Sequence, residues 1–166
     1  MLKRLISGIM VFGLLSGCAI RQPVQMQTIF DYESHKAYLQ NGTGSVKGQG
    51  FLRQQGGGVV TCAGSPVYLM PSTPFFREAF NLLRSGKDPQ IGQQFDPAYK
   101  AMLKQSQCDA QGNFLFTNLP SGGWFVMTEV KWSVGYNQQG GALLREISVN
   151  NNESQVLLTD NDFIGR

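Results

Sequence analysis

Apolar and polar positions divide the chain into three regimes. From Leu5 to Leu15 (LISGIMVFGLL) eleven residues run without a charge. From Ala19 to about Thr43 the chain is first polar and broken by proline (Arg21-Gln22-Pro23-Val24-Gln25), then richer in aromatics over Thr28–Leu39. In that stretch Ile29, Phe30, Tyr32 and Tyr38 are placed to dock, as a short helix or strand, on the domain or on a partner. From Ser45 onward short segments with every-second-residue alternation are separated by glycine-rich turns. Ser45–Arg53, Val67–Met70, Asn113–Thr117, Trp124–Trp132, Ala142–Val149 and Gln155–Thr159 read as strands. In Trp124–Trp132, residues Trp124, Val126, Thr128, Val130 and Trp132 share one face, and Glu129 and Lys131 lie at the far end of the other. Short strands at this spacing predict an all-β fold, an antiparallel β-sandwich.

One stretch departs from that period. Between Pro71 and Gln107, Thr73-Pro74 offers an N-cap and an N1 proline ahead of Phe75, Phe76, Ala79, Phe80, Leu82 and Leu83, with Gly86 as the stop. Asp96-Pro97 repeats the grammar before Ala98, Tyr99, Ala101, Met102 and Leu103. The prediction is a helical insertion over about 72–107. Its Phe75-Phe76-Phe80 face packs on its own domain or is offered to a partner.

The first regime changes the compartment. Lys3 and Arg4 precede the apolar run, which is the length of an export leader and well short of the roughly 20 residues a spanning helix needs. Leu15-Ser16-Gly17-Cys18 then resembles the bacterial lipobox. That resemblance implies removal of residues 1–17, acylation of Cys18 with diacylglycerol and a further fatty acid such as palmitate, and residues 18–43 as a tether. Two or more acyl chains make a stable anchor where one is marginal. Ala19, with no aspartate after the cysteine, implies the outer membrane by the family's sorting rule, with the domain in the periplasm or at the surface.

Charge adds little. The formal net charge is +3, and two of those charges, Lys3 and Arg4, leave with the leader. No basic patch interleaved with aromatics suggests nucleic acid. Charged residues make up only 15% of the chain, which argues against charge-driven steering to a partner. With Cys18 acylated, Cys62 and Cys108 remain as an even pair in an oxidising compartment. A disulfide between them would be worth roughly 4 kcal/mol by chain entropy. Metal binding is the rival, weakened because no histidine lies near to complete a tetrahedral site.

Asp109, Gly112, Phe114 and Phe116, followed by Leu119, Pro120, Gly122 and Val126, resemble the carboxypeptidase regulatory-like domain, with one extra glycine, Gly123. Ser65-Pro66-Val67-Tyr68-Leu69 is similar, less closely, to an upstream strand of that family. The resemblance implies a transthyretin/Ig-like antiparallel β-sandwich within residues 44–166, with the motif residues building turns and core. It carries over no catalytic residue and no cofactor.

No nucleophile, metal or phosphate-binding motif appears. His35, the one histidine, reads as a solvated tether side chain, and Asp160-Asn161-Asp162 as a solvated tail rather than the start of a calcium loop. The chain therefore reads as a non-enzyme. Three roles stand: a protein-binding or scaffolding module with an envelope partner; an accessory subunit of an outer-membrane secretion machine; and carbohydrate or peptidoglycan binding through Trp124, Trp132 and Tyr136. Alternation favours burial of the two tryptophans, whereas Tyr136 lies in an exposed Ser133–Gly141 loop.

Overall fold

The computed structural model describes residues 23–92 and 97–164. Cys18 and the lipobox lie outside them, as does the expected cap Asp96. In chain order the elements are β1 (Pro23–Gln25), α1 (Tyr32–His35), a 3-10 turn (Lys36–Leu39), β2 (Gly44–Arg53), β3 (Val59–Thr61) and β4 (Pro66–Pro71). The insertion follows, with α2 (Pro74–Arg84), β5 (Asp88–Gln90) and α3 (Pro97–Met102). Then come β6 (Lys104–Gln107), β7 (Asn113–Leu119), β8 (Gly122–Val134), β9 (Asn137–Val149), β10 (Glu153–Leu158), a 3-10 turn (Asp160–Asp162) and β11 (Phe163–Ile164).

Two sheets face each other. The larger runs β11-β9-β8-β4-β6, antiparallel throughout. The smaller is built on β2, with β10 on one edge and β7 and then β3 on the other. Gly50 shows how the second edge is shared: its N–H donates to the Gly112 carbonyl and its carbonyl accepts from the Cys62 N–H. Both groups of one strand residue point the same way, so β7 and β3 follow each other along one side of β2. The β2–β10 pair is parallel, in register from Ser45↔Glu153 to Gly50↔Leu158. The expected sandwich is therefore present, with one parallel pair that alternation could not reveal.

Two cores result. Val46, Leu52, Leu69, Phe114, Phe116, Leu119, Trp124, Val126, Val130 and Leu158 fill the space between the sheets. On the opposite face of the larger sheet, Met70, Phe125 and Leu144 meet Phe75, Phe76 and Phe80 of α2, Tyr99 and Met102 of α3, and Phe30. Each of these aromatic side chains stabilises the fold by about 1.5–3 kcal/mol through burial. Phe75, Phe76 and Phe80, at 2%, 1% and 4% exposure, are thus not available to a partner. Helix α2 ends as expected: Gly86, at φ 74°, donates to the Leu83 carbonyl and Lys87 to the Leu82 carbonyl.

Residues 23–43 are not a free tether. β1 pairs in parallel with β5 inside the insertion. The Glu78 carboxylate accepts the N–H groups of Gln27 and Thr28, each at 2.7 Å. Phe30 packs edge-on against Phe75 and Tyr99. His35 is 1% exposed and not solvated: Nδ1 lies 2.5 Å from the Asp31 carbonyl, and Nε2 2.7 Å from the Thr73 hydroxyl. Thr73 precedes α2 as its N-cap residue, yet its hydroxyl serves the histidine rather than the helix. The apolar surface of the larger sheet needs this cover, and Phe30, with Met26 and Leu39, supplies part of it, while Tyr38 packs on the inter-sheet core.

The Asp160–Asp162 turn is held in place and is not a solvated tail. Arg145 reaches both carboxylate oxygens of Asp162 at 2.6 and 2.7 Å, and Asp162 accepts from the Thr159 N–H. Cys62 and Cys108 are disulfide-bonded with Cα atoms 5.8 Å apart, tying the end of β3 to the end of β6 at the feet of the β4–insertion–β6 excursion. The Asp109–Asn113 turn beside it forms as the motif requires. Asp109 accepts from the N–H groups of Gln111 and Asn113, and Gly112 has φ 81°.

Two predictions follow from this packing. Phe30→Ala should destabilise the protein by about 3–5 kcal/mol in urea unfolding, with near-unchanged far-ultraviolet β signal from the sandwich. The hydrogen bonds from Gln27 first, then Thr28, hold the Glu78 carboxyl below its ordinary value. The stabilisation they give is complete above the ordinary carboxylate pKa and is lost as pH falls through the lowered one. Amide exchange at Gln27 and Thr28, corrected for intrinsic pH dependence, should therefore accelerate as pH falls below the ordinary glutamate range in the wild type. In Glu78→Gln it should be fast at every pH.

Candidate functional site

The groups that usually do chemistry are engaged in structure. Both cysteines of the domain form the disulfide. His35 is enclosed between Asp31, Ser34 and Thr73. Glu146 binds Ser72 and Arg77, and these contacts, Ser72 first, draw its carboxyl below the usual range. Asp109 builds its turn, and hydrogen bonds from Asn113 lower its carboxyl likewise. Among the described residues no three His, Cys, Asp or Glu side chains converge to hold a metal ion. No constellation of nucleophile, base and orienting group assembles there either.

What the fold does present is a hairpin. β8 and β9 pair continuously from Gly122↔Val149 to Val134↔Asn137. β4 accompanies β8 only as far as Thr128, and β11 accompanies β9 only at Leu143 and Ala142. From Glu129 onward, then, β8 is flanked in its sheet by β9 alone. Val130 still reaches the inter-sheet core, Trp132 packs at its margin, and residues 133–139 are exposed. The expected Ser133–Gly141 loop is mostly strand, closed by the two residues Gly135 and Tyr136. Gly135 has φ 58° and Tyr136 does not have positive φ, the requirement of a type II′ turn.

That turn leaves Tyr136 fully exposed at the tip, with Val134 57% exposed beside it. Trp132 is paired across the hairpin with Gln139, so the two side chains share a face. Its indole is seated by Gly140, at φ 89°: a Cβ there would come within 2.1 Å of the Val130 carbonyl and 2.9 Å of the Trp132 ring. Asn137, Gln138 and Gln139 add amides. The charged neighbours Glu129 and Lys131 pair with each other at 2.6 Å. The tip is thus an aromatic and amide surface with its charges neutralised.

The tryptophans expected to act together are separated. Trp124 is fully buried, its ring edge-on to Tyr38 at 4.9 Å and its N–H donating to the Pro120 carbonyl. Trp132 and Tyr136 instead lie four residues apart on one hairpin. The alternation of Trp124–Trp132 placed both tryptophans on one face, but it could not show that the inter-sheet core ends near Val130. The exposed apolar side chains Ile29, at 76%, and Tyr32, at 44%, were grouped with docking residues in the sequence. Only their neighbour Phe30 and the nearby Tyr38 insert.

Comparison with known proteins yields a fold. No protein-family model matches the chain, and no curated protein matches it. In structure it is similar to a proposed carbohydrate-binding protein from Pseudomonas aeruginosa, with a TM-score of 0.66 and 23% identity over 78% of this chain and 97% of that one. The two share a β-sandwich fold. Chlorocatechol 1,2-dioxygenase and hydroxyquinol 1,2-dioxygenase from Pseudomonas putida are matched at TM-scores of 0.26 and 0.30, with 11% and 7% identity. These overlays cover 87% and 88% of this chain and 68% and 64% of the enzymes, at scores too low to speak for a common fold.

Gly140→Ala should shift the tryptophan emission spectrum and lower stability by about 1–3 kcal/mol, because the methyl group has neither space nor a compatible backbone. Tyr136→Ala, at a solvent-facing tip, should change stability by no more than about 0.5 kcal/mol.

Proposed function

We propose that this protein is a non-catalytic carbohydrate-binding module held in the bacterial envelope by lipid on Cys18. The observation that carries the reading is the hairpin tip. Tyr136 and Trp132 offer flat apolar rings to the C–H faces of a sugar, and the adjoining amides both donate to and accept from hydroxyl groups. The neutralised Glu129–Lys131 pair favours an uncharged saccharide over an acidic one. The fold shared with the proposed carbohydrate-binding protein of Pseudomonas aeruginosa supports the same reading. The protein-scaffold role, placed first on sequence, has no comparable support, because the phenylalanines expected to meet a partner are buried.

The anchor half of the reading rests on the leader and Leu15-Ser16-Gly17-Cys18. Cys18→Ser should abolish acylation of the cysteine, read as loss of the lipid mass on the N-terminal peptide and release from the membrane fraction.

For binding, glycan-array screening and calorimetry should find a neutral oligosaccharide ligand, with peptidoglycan fragments, which carry carboxylates, bound more weakly. Removing one aromatic contact on the order of 1–1.5 kcal/mol predicts about a tenfold loss of affinity in Tyr136→Ala, and a comparable loss in Trp132→Ala. Saccharide affinity unchanged in both variants would place binding elsewhere. No saccharide binding by the wild type would remove the sugar reading.

A further inference from the structure

The packed N-terminal segment changes what a lipid on Cys18 would do. Strand β1 starts at Pro23, so by sequence only Ala19 to Gln22 separate the acylated residue from it. At full extension the five steps from Cys18 to Pro23 reach about 18 Å, whereas a tether running to Thr43 would allow about 90 Å. β1 is held by β5, and the turn after it by Glu78 on α2, so the attachment point belongs to the helical layer. That layer covers one face of the larger sheet, and the smaller sheet covers the other. An anchor this short keeps the helical layer near the bilayer and favours an orientation in which the open face of the smaller sheet, where Leu115 is 52% exposed, points away.

The surface next to that attachment point suits such contact. Ile29 stands 76% exposed on the rim of a shallow groove of about 480 Å³ formed with Gln25, Met26, Phe75 and Gln90. Tyr32, 44% exposed, follows at the start of α1. Tyrosine is enriched at the headgroup level of membranes, and an exposed aliphatic side chain gains by burial at the acyl boundary just below it. The flanking charges do not form a basic patch: Lys36 pairs with Glu33, and Lys87 precedes Asp88. We infer that the β1–β5 edge of the helical layer, through Ile29 and Tyr32, is a bilayer-contact surface that fixes the orientation of the domain on the membrane. The inference rests on the lipid-anchor reading and goes beyond it, because an acylated protein on a long leash would tumble freely.

The test uses the full acylated protein in vesicles of phosphatidylethanolamine and phosphatidylglycerol that contain phospholipid brominated on the acyl chain. Ile29→Trp and Leu115→Trp each add a fluorophore at an exposed position that the core does not use, and the wild type supplies the background of Trp124 and Trp132. The added emission should fall at least twofold with brominated lipid in Ile29→Trp and stay unchanged in Leu115→Trp. One molar sodium chloride should not relieve the quenching. With the lipid on Cys18 confirmed by mass, equal quenching at both positions, or none at position 29, overturns the orientation and leaves the anchor standing. Absence of lipid from Cys18 overturns the anchor and this inference with it.

Discussion

Between Trp124 and Thr128, strand β8 can leave neither face in water. Trp124, Val126 and Val130 point into the inter-sheet core, while Phe125 and Met127, on the opposite face, lie under the helical layer. A two-sheet sandwich would cover only the first set, so the molecule needs a third layer. The insertion between β4 and β6 supplies most of it, and the N-terminal aromatic segment closes what remains. The buried contacts of His35 and Phe30 follow from that need. So does the diversion of the Thr73 hydroxyl from helix capping to the histidine.

The disulfide belongs to the same logic. β4 and β6 are adjacent in the larger sheet, yet the chain between them runs through two helices and the β5 strand. Returning from that excursion to β7, in the smaller sheet, costs conformational entropy. The Cys62–Cys108 bond limits the cost by joining the residues that leave and re-enter the smaller sheet. The Asp109 turn and Gly112, packed against Gly50 and Thr61, then set β7 in register beside β2.

Rigid cover at one face and an extended hairpin elsewhere divide the proposed labour of the protein. The N-terminal segment from Pro23, locked by Glu78, His35 and Phe30, would couple the proposed attachment point at Cys18 to the domain. The β8–β9 hairpin, free of neighbours beyond Thr128 and Leu143 in its own sheet, carries the exposed aromatic and amide side chains. Its strands are long enough to root Trp132 at the core margin and still present Tyr136 to solvent. The ring nearest the core is thereby held in place by Gly140, while the outer one remains free to adapt.

Much of this was legible in the residues themselves. Alternation located β2, β4, β7, β8, β9 and β10. Proline at N1 and Gly86 bounded α2, and the cysteine pair stood where the disulfide forms, because these rules act over a few residues and do not depend on what packs outside them. The polar edge strand β6 (Lys-Gln-Ser-Gln) and the short β1, β5 and β11 carry no periodic apolar code, since each is defined by its neighbour's hydrogen bonds. The parallel β2–β10 pairing was equally silent. For function, the sequence by itself determined the apolar run after Lys3 and Arg4, the lipobox resemblance and the lack of catalytic motifs. Only the tertiary structure decided that His35 and Phe30 are interior, that Trp124 is core while Trp132 is marginal, and that residues 23–43 of the apparent tether are part of the domain. The reason is that burial depends on which surfaces meet, and those surfaces come from segments tens of residues apart.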